Sequence, residues 1–468
     1  MAATSFVVPE HLALPQNVAR FPVGAETLLV APELGAALLV DAPGEALFSA
    51  MAAGASPREA LQRVVMEQPE HAAQVLASFK KLLAQIELEQ FHRDTQAVHD
   101  DPSTGEQVVH VYLSHACNLT CVHCYMSAGK PLPREMTFEQ FKEVLTVLAP
   151  RAQLITLSGG EPMGVPFFFE LAEWLRGEFG VALNLITNAT YIDTPEKAAR
   201  LASLFREVQV SIDGATESVF ERARGKGSFA PTMRGLRLLA EQTFPELAVA
   251  ICLLPWNVDD ICDHLVDLLE EVDPHRRIHN VRLSDTNQYG RADATMVTRL
   301  SPEQEGRIVE MQRRISATGR RNWTKNDDVH NDRYFRFGKG KTRTLKGSCG
   351  FGEGLILDSN GDVYPCPMMK KGEKLTNFFQ PDFHEKLEPR LQSAFQRHHV
   401  DQMTPCKGCE VRYICRGGCR VANATLSGST TVVACDARYK LVQLHRIAAQ
   451  LRTRYSPQVQ NSLHALQT

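Results

Sequence analysis

The chain has 468 residues, a formal net charge of −3 and 44% hydrophobic residues. These values indicate a globular protein of about three domains, and they argue against a general nucleic-acid-binding protein, which is usually strongly basic. No apolar run approaches the ~20 residues of a membrane helix, and no secretion signal is recognisable. We therefore expect a cytoplasmic protein without a nucleic-acid or membrane partner.

Residues 1–100 are predicted to form a small α+β domain. The runs ETLLVAP and AALLVD predict a β-hairpin, because both consist of short β-forming segments and a turn separates them. Three helical stretches follow, and one of them begins at Ser56 with Pro57 at the first helical position. A charged, turn-rich stretch then indicates a linker to the next domain.

Residues 104–300 show strands and helices in alternation. The predicted strands are QVVHVYLS, QLITLSG, VALNLIT, EVQVSID, ELAVAICLL and IHNVRLSD. The helix between the first two begins at a capping box formed by Thr137 and Gln140. Six β/α units in series predict an α/β fold with parallel strands, closed as a partial (β/α)6 TIM-like barrel. The chemistry of such folds lies at the carboxyl ends of the strands.

Three cysteines follow the first predicted strand, with the spacing Cys117-x3-Cys121-x2-Cys124. Three thiolates are too few for a closed tetrahedral metal site, but they suit an iron–sulfur cluster that keeps one iron open. His115 and His123 are close in sequence, so a zinc site with a borrowed ligand is the alternative.

This spacing, with Tyr125 after the third cysteine, resembles that of the radical S-adenosylmethionine (SAM) enzymes. The resemblance implies a 4Fe-4S cluster on Cys117, Cys121 and Cys124, and SAM bound at its open iron. It also implies that an electron from the cluster cleaves SAM, and that the resulting 5′-deoxyadenosyl radical takes a hydrogen atom from a substrate.

Further strings typical of this family follow the later strands. LSGGEP resembles the segment that binds the amino group of SAM, and Arg224 resembles an arginine that pairs with the SAM carboxylate. The residues that the resemblance assigns to SAM are Tyr125, Ser158, Gly159, Gly160, Glu161, Pro162, Thr187, Asn188, Ser211, Asp213, Arg224 and Asn257.

A second cysteine array lies in residues 346–440 and resembles the SPASM domain of radical SAM maturases. The resemblance implies an outer auxiliary iron–sulfur cluster on Cys406, Cys409, Cys415 and Cys435, and an inner one on Cys349, Cys366 and Cys419. Seven cysteines leave the inner cluster one ligand short, so it has an open iron, a non-cysteine ligand or fewer irons. The alternative is a zinc ribbon. Cys252 and Cys262 stand alone, and we expect them to be plain buried residues.

Two segments connect or end these units. Residues 301–345 are predicted to be a basic linker, since residues 320–346 contain nine Lys or Arg against three Asp. This linker is either a solvated connector or a cationic wall facing an acidic substrate. Residues 441–468 are expected to form a C-terminal helix or tail.

Residues 1–100 also resemble the winged-helix-like elements that recognise leader peptides. The combined resemblance implies a maturase that acts on a ribosomally made precursor peptide and receives electrons from flavodoxin or ferredoxin. The product is a thioether, carbon–carbon or carbon–oxygen crosslink, or an oxidised residue. Two alternatives stay open: a radical SAM enzyme for a small molecule such as a tetrapyrrole or cofactor precursor, and a non-enzymatic iron–sulfur electron carrier.

Overall fold

The structure is a computed structural model of the chain. It describes residues 8–100, 108–286, 288–297, 300–324, 342–352, 354–368 and 373–455. No helix within these ranges is long and apolar enough to cross a membrane.

The N-terminal unit, described from residue 8, contains a three-stranded antiparallel sheet followed by three helices. The strands lie in the order β1 (Ala19–Val23), β2 (Glu26–Ala31) and β3 (Ala36–Val40). The helices are α1 (Ala42–Ala52), α2 (Pro57–Glu67) and α3 (Ala72–Leu88). The predicted hairpin is β2 and β3, with Leu28 opposite Leu39, while β1 was not predicted. Helix α2 begins where expected, because Ser56 and Glu59 form a capping box.

The outer edge of β3 is capped by a side chain. Gln85 of α3 is fully buried, and its amide nitrogen donates to the carbonyl oxygen of Leu39 at 2.9 Å. The amide oxygen of Gln85 accepts from the backbone N–H of Leu39 at 2.8 Å. One amide side chain thus supplies the two hydrogen bonds that a neighbouring strand would otherwise supply to this residue.

A β/α sheet forms the centre of the chain. After β4 (Gln96–His99), its parallel strands are β5 (Val108–Tyr112), β6 (Leu154–Ser158), β7 (Ala182–Thr187), β8 (Glu207–Ser211), β9 (Glu246–Leu253), β10 (Asn280–Asp285) and β11 (Arg321–Thr324). The helices are α4 (Phe138–Leu148), α5 (Phe168–Phe179), α6 (Pro195–Leu204), α7 (Glu217–Arg224), α8 (Phe229–Ala240), α9 (Val258–Val272) and α10 (Pro302–Ala317). All six predicted strands, β5 to β10, are present.

The parallel sheet continues past the predicted boundary at residue 300. Helix α10 and strand β11 form a further unit, and β11 pairs in parallel with β10, so residues 301–324 do not form a linker. The basic composition concealed the buried stripe of Ile308, Met311 and Ile315, which has helical spacing. The middle of the predicted basic linker, residues 325–341, lies outside the described residues.

Burial alternates along the barrel strands. In β9, Val249 and Ile251 are fully buried, whereas Ala250 and Cys252 are half-buried. The first pair belongs to the main apolar core with the surrounding helices. Because successive side chains point to opposite faces of a strand, Ala250 and Cys252 face the barrel interior.

The C-terminal region joins the same sheet. Its strands are β12 (Thr342–Leu345), β13 (Leu355–Leu357), β14 (Asp362–Tyr364) and β15 (Thr376–Asn377). Strand β13 pairs in parallel with β5, and β12 pairs in parallel with β4. The helices are α11 (Phe383–Arg397), α12 (Arg412–Cys415), α13 (Arg420–Ser427) and α14 (Ala437–Arg454). The cysteine-rich region is therefore built onto the first barrel strand.

Helix α14 covers the face of the N-terminal sheet that α1–α3 leave open. Leu444, Ile447 and Ala448 are buried against Leu28 and Leu39 of that sheet. Residues 441–455 therefore complete a core that involves the first and last parts of the chain. The remaining residues of the expected tail, 456–468, are not among those described.

We expect the substitution Gln85→Ala to loosen the edge of β3. It leaves the buried N–H and C=O groups of Leu39 without partners, at a cost of about 1–3 kcal/mol for each group. Hydrogen–deuterium exchange over residues 36–40 should become faster. The matched control is Lys80→Ala on the exposed side of the same helix, and equal exchange in the two variants would contradict this role of Gln85.

Candidate active site

The first cysteine loop leaves the carboxyl end of β5. Cys117, Cys121 and Cys124 are half-buried. The backbone N–H groups of Leu119 and Ala128 lie 3.4 Å from the sulfur atoms of Cys117 and Cys124, respectively. Such N–H groups stabilise thiolate ligands by donating to their sulfur atoms.

Two carboxylates, the half-buried Glu135 and the buried Asp358, attach this loop to the rest of the chain. The carboxylate of Glu135 accepts from Ser114 Oγ at 2.6 Å and from the His115 backbone N–H at 2.7 Å. It also accepts from Ser359 Oγ at 3.1 Å. The ring of His115 lies 2.8 Å from Asp358 Oδ1. The loop is therefore held between the barrel and the cysteine-rich C-terminal region.

The arrangement does not fit the alternative of a single zinc ion. His115 is engaged by Asp358, and His123 Nε2 lies 3.0 Å from Asp213 Oδ2. Over the described part of the chain, Cys117, Cys121 and Cys124 are not among the ligand groups whose donor atoms all lie within 4.8 Å of one another. Thiolates on one zinc ion lie closer than that, whereas thiolates on different irons of a cluster need not.

Two glycines bring the loop after β6 against the cysteine loop. A Cβ atom on Gly160 would lie 2.1 Å from the carbonyl oxygen of Ala116, and Gly159 has a φ angle of +137°. The Gly160 N–H donates to the Ser114 carbonyl at 2.7 Å. Only glycine permits this approach of one backbone to the other.

The carboxylate of Glu161 joins the ends of β6 and β7. It is 2% exposed and accepts from Thr187 Oγ1 at 2.7 Å and from the Asn188 N–H at 2.8 Å. Burial raises its pKa to about 7, although these donors act in the opposite direction. Ser158 and Pro162, on either side of this loop, are also buried.

Asn188 then links β7 to the cysteine loop. Its side-chain nitrogen donates to Asn118 Oδ1 at 3.0 Å and lies 4.0 Å from Cys117 Sγ. Its side-chain oxygen accepts from the Thr190 backbone N–H at 2.9 Å. The segments that follow β5, β6 and β7 are therefore connected directly by hydrogen bonds.

Asp213 is the centre of a second network. It is fully buried, and its Oδ2 lies 2.7 Å from an Arg224 nitrogen and 3.0 Å from His123 Nε2. Its Oδ1 accepts from the Cys252 backbone N–H at 2.7 Å. The Arg224 Nε atom is buried, and the described residues offer it no hydrogen-bond partner. Arg224 is therefore fixed at one nitrogen and keeps a buried donor for a ligand.

The charges in this network support one another. Burial opposes ionisation of Asp213, but Arg224 and His123 hold the pKa of its carboxyl well below the ordinary value. Burial alone would lower the pKa of His123, yet Asp213 raises it well above the ordinary value. Burial would raise the pKa of Cys252, but the hydrogen bond from His123 lowers it. The structure therefore favours a carboxylate between two cations.

Asn257 and Ser211 both belong to the residues that the resemblance assigns to SAM, but their surroundings in the structure differ. The side chain of Asn257 is fully buried, donates to the carbonyls of Asp213 and Cys252, and accepts from the Leu254 N–H. Its amide is thus fully engaged in holding the end of β9. Ser211 ends β8 and is half-buried on the interior side of that strand.

Sequence reasoning missed the involvement of Cys252, which we expected to be a plain buried residue. Its sulfur belongs with His123 and Asp213 to a group whose ligand atoms lie within 4.8 Å of one another. The alternation of residues in β9 is the signal that identifies it, because Cys252 shares the interior face with Ala250 at the carboxyl end of the strand.

Tyr125 connects the first cysteine loop to the second cysteine array. Its hydroxyl lies 3.1 Å from the hydroxyl of Tyr112, which donates to the Pro367 carbonyl at 2.8 Å. Pro367 follows Cys366, and the two thiols Cys124 and Cys366 both help to raise the pKa of Tyr125, after the larger effect of burial. Cys366 therefore lies on the side of the array that faces the barrel.

Two further cysteines of the second array, Cys349 and Cys419, pack with Cys366 against the main apolar core. The remaining four surround a separate cavity of ≈370 Å³, which Cys406, Cys409, Cys415 and Cys435 line together with Tyr439 and Lys440. Burial raises the pKa of Cys415 to about 12, and the other three thiols add to the effect. Four cysteines of the array thus line one cavity, and the other three lie against the main core.

Comparison with known proteins identifies the superfamily. The sequence pattern of the radical SAM superfamily matches residues 111–268. The mycofactocin maturase MftC of Mycolicibacterium smegmatis is 32% identical over 329 residues, which are 66% of this chain and 77% of that protein. The AdoMet-dependent heme synthase of Methanosarcina barkeri is 35% identical over 137 residues, which are 28% of this chain and 39% of that protein.

Among solved structures, Streptococcus suis SuiB bound to S-adenosylmethionine has the same fold, with a TM-score of 0.54 and 14% identity. The match covers 91% of this chain and 99% of SuiB. The identity to MftC, the superfamily match and this fold agree with the predicted barrel and with the predicted family. The chain belongs to the radical SAM superfamily, and it is a radical SAM enzyme.

Proposed function

We propose that the chain is a maturase that modifies a ribosomally made precursor peptide. The observation that carries this proposal is the identity to MftC, whose 329 aligned residues extend well beyond the matched segment 111–268. SuiB, which shares the fold, has also been solved with its precursor peptide SuiA, at a TM-score of 0.51. A peptide maturase also accounts for the additional units on both sides of the barrel.

In this proposal, Cys117, Cys121 and Cys124 hold the 4Fe-4S cluster. SAM bound there supplies a 5′-deoxyadenosyl radical that removes a hydrogen atom from a carbon of the substrate. Arg224 offers its unpartnered Nε–H group to the SAM carboxylate, and Asp213 fixes the orientation of this guanidinium.

The glycine pair and the carboxylate of Glu161 shape the other side of the SAM site. Gly159 and Gly160 let backbone groups approach the amino group of SAM, because no side chain intervenes. Glu161 keeps the ends of β6 and β7 together through Thr187 and Asn188. Ser211 and Tyr125 complete the proposed set, whereas Asn257 acts by positioning the end of β9.

The second array is proposed to be a SPASM domain over residues 346–440, with two auxiliary clusters. The cavity between Cys406, Cys409, Cys415 and Cys435 supports an outer cluster, because four thiols line one space. Cys349, Cys366 and Cys419 supply three ligands for the inner cluster. The contact of Tyr112 with Pro367, the residue after Cys366, supports a position of this group beside the barrel. It is therefore suited to receive an electron as the substrate radical becomes product.

Residues 1–100 are proposed to bind the leader of the precursor. Leader docking as an added strand requires a free sheet edge, and Pro22 in β1 makes that edge unfavourable. On β3, the Gln85 amide occupies the hydrogen-bonding groups of Leu39. A leader strand on β3 therefore replaces the Gln85 amide at this residue.

The electron for the first cluster is proposed to come from flavodoxin or ferredoxin. None of the twelve cysteines is in a disulfide bond, which suits the reducing conditions proposed for this protein, those of the cytoplasm. A second candidate function is the modification of a small molecule such as a tetrapyrrole, and the similarity to AdoMet-dependent heme synthase favours it. That similarity covers 28% of this chain, much less than the similarity to MftC.

Replacement of Cys117, Cys121 and Cys124 together by Ala should remove one cluster, or roughly four iron atoms per chain, and abolish release of 5′-deoxyadenosine. Iron analysis and chromatography of the products measure the two effects. The control is Cys262→Ala on α9, outside both arrays, which should retain both properties. Persistent SAM cleavage in the triple variant would refute the ligand assignment.

The substitution Gly160→Ala should reduce SAM cleavage by about 100-fold, because its Cβ atom forces the loops after β5 and β6 apart. Gly177→Ala provides a matched control, since a Cβ atom there meets nothing within 4 Å. Reduction with dithionite and quantification of 5′-deoxyadenosine compare the two variants. Equal rates would show that the contact between these loops is not needed.

Co-expression with a precursor peptide encoded beside this chain tests the substrate. We expect mass spectrometry to find a changed mass on one or more core residues of the peptide, and Cys349→Ala should abolish that change while SAM is still cleaved. An unmodified peptide, together with a tetrapyrrole that is converted by the purified enzyme, would establish the second candidate function instead.

A further inference from the structure

A group of potential metal ligands lies outside both cysteine arrays. His99 ends β4, whereas His399 and Asp401 follow α11. One ligand atom from each of the three residues lies within 4.8 Å of the other two. The group thus joins the end of the N-terminal unit to the cysteine-rich region, at the place where β4 and β12 pair.

The distances within this group match those of a zinc site. Asp401 Oδ2 lies 3.2 Å from His399 Nδ1 and 3.7 Å from His99 Nδ1. Ligands about 2.0–2.1 Å from a tetrahedral zinc ion lie roughly 3.3 Å from one another. The two distances to Asp401 Oδ2 therefore lie within a few tenths of an ångström of that separation, and the ligand atoms of the two histidines lie within 4.8 Å of each other.

The carboxylate of Asp401 is held in the orientation that such a site needs. Its Oδ1 accepts from Arg412 Nε at 3.1 Å and from the Tyr413 hydroxyl at 2.9 Å. The Tyr413 hydroxyl also lies 3.1 Å from Oδ2. Together these donors fix the orientation of the carboxylate, and Oδ2 is the oxygen atom that lies beside the two histidines.

His399 also has the supporting contact that is typical of metal-bound histidines. Its Nε2 lies 3.2 Å from Oδ1 of Asp100, a carboxylate that also accepts from the Gly347 N–H at 3.2 Å. A carboxylate behind one ring nitrogen fixes the tautomer in which the other nitrogen binds the metal. Gly347 packs directly against the ring of His399, because a Cβ atom at this position would lie 1.8 Å from His399 Nε2.

We propose that His99, His399 and Asp401 bind a Zn²⁺ ion, with water as the fourth ligand. Two imidazoles and one carboxylate suit zinc, and the 57% exposure of the His99 side chain leaves solvent access for the water. The ion connects β4 to the segment after α11 and so stabilises the position of residues 1–100 against the cysteine-rich region. The site is distinct from the iron–sulfur chemistry and holds whether or not the substrate is a peptide.

Zinc K-edge X-ray absorption on the anaerobically reconstituted holoenzyme tests this site, because the iron clusters do not contribute at that edge. With one equivalent of ZnCl₂, we expect only nitrogen and oxygen in the first shell and the outer-shell scattering of imidazole. His99→Ala should weaken zinc binding by about tenfold or more, and Asp100→Asn should weaken it by about 10–100-fold. SAM cleavage should be retained in both variants.

The matched control is His275→Ala, a histidine with 58% exposure of its side chain beside the barrel, which should bind zinc like the unaltered chain. Sulfur in the first shell would place the zinc on the cysteines and overturn the proposal. Unchanged nitrogen and oxygen coordination in His99→Ala would overturn it as well. The absence of zinc binding would overturn the proposal and show that His399 is held only by hydrogen bonds, with the Asp100 carboxylate at Nε2 and with the Asp401 backbone N–H at Nδ1.

Discussion

The proposed active site depends on one buried negative charge. Asp213 is fully excluded from solvent, and Arg224 and His123, which lie against the same oxygen atom, favour its ionised form by lowering its pKa. Removal of one partner from a buried ion pair typically costs about 3–5 kcal/mol. Since His123 belongs to the cysteine loop and Arg224 ends α7, this charge couples the position of the loop to the far side of the barrel mouth.

The cysteine-rich region and the barrel form one structure around this site. Strand β13 extends the barrel sheet beside β5. The contacts of Tyr112 with Pro367 and of His115 with Asp358 then join the first cysteine loop to that region. The second array is thus positioned by the strand that carries the first.

Local patterns predicted the elements that depend on neighbouring residues. Alternating strands and helices, capping residues at Ser56 and Thr137, and the order of the motifs at strand ends were all readable in the sequence. The predicted linker boundary at residue 300 disagrees with the structure, because charge content obscured the apolar stripe of α10. The edge contact of Gln85 with Leu39 spans 46 positions, and no local pattern indicates it.

The sequence alone determined which chemistry the chain can perform, since the spacing of Cys117, Cys121 and Cys124 and the glycines beside Glu161 are local properties. Only the tertiary structure decided which charges meet. The pairing of Asp213 with Arg224, the place of Cys252 beside His123, and the group formed by β4 and the segment after α11 depend on distances between residues far apart in the chain. Those distances follow from how the strands pack side by side, because packing in a dense interior is a property of the whole fold.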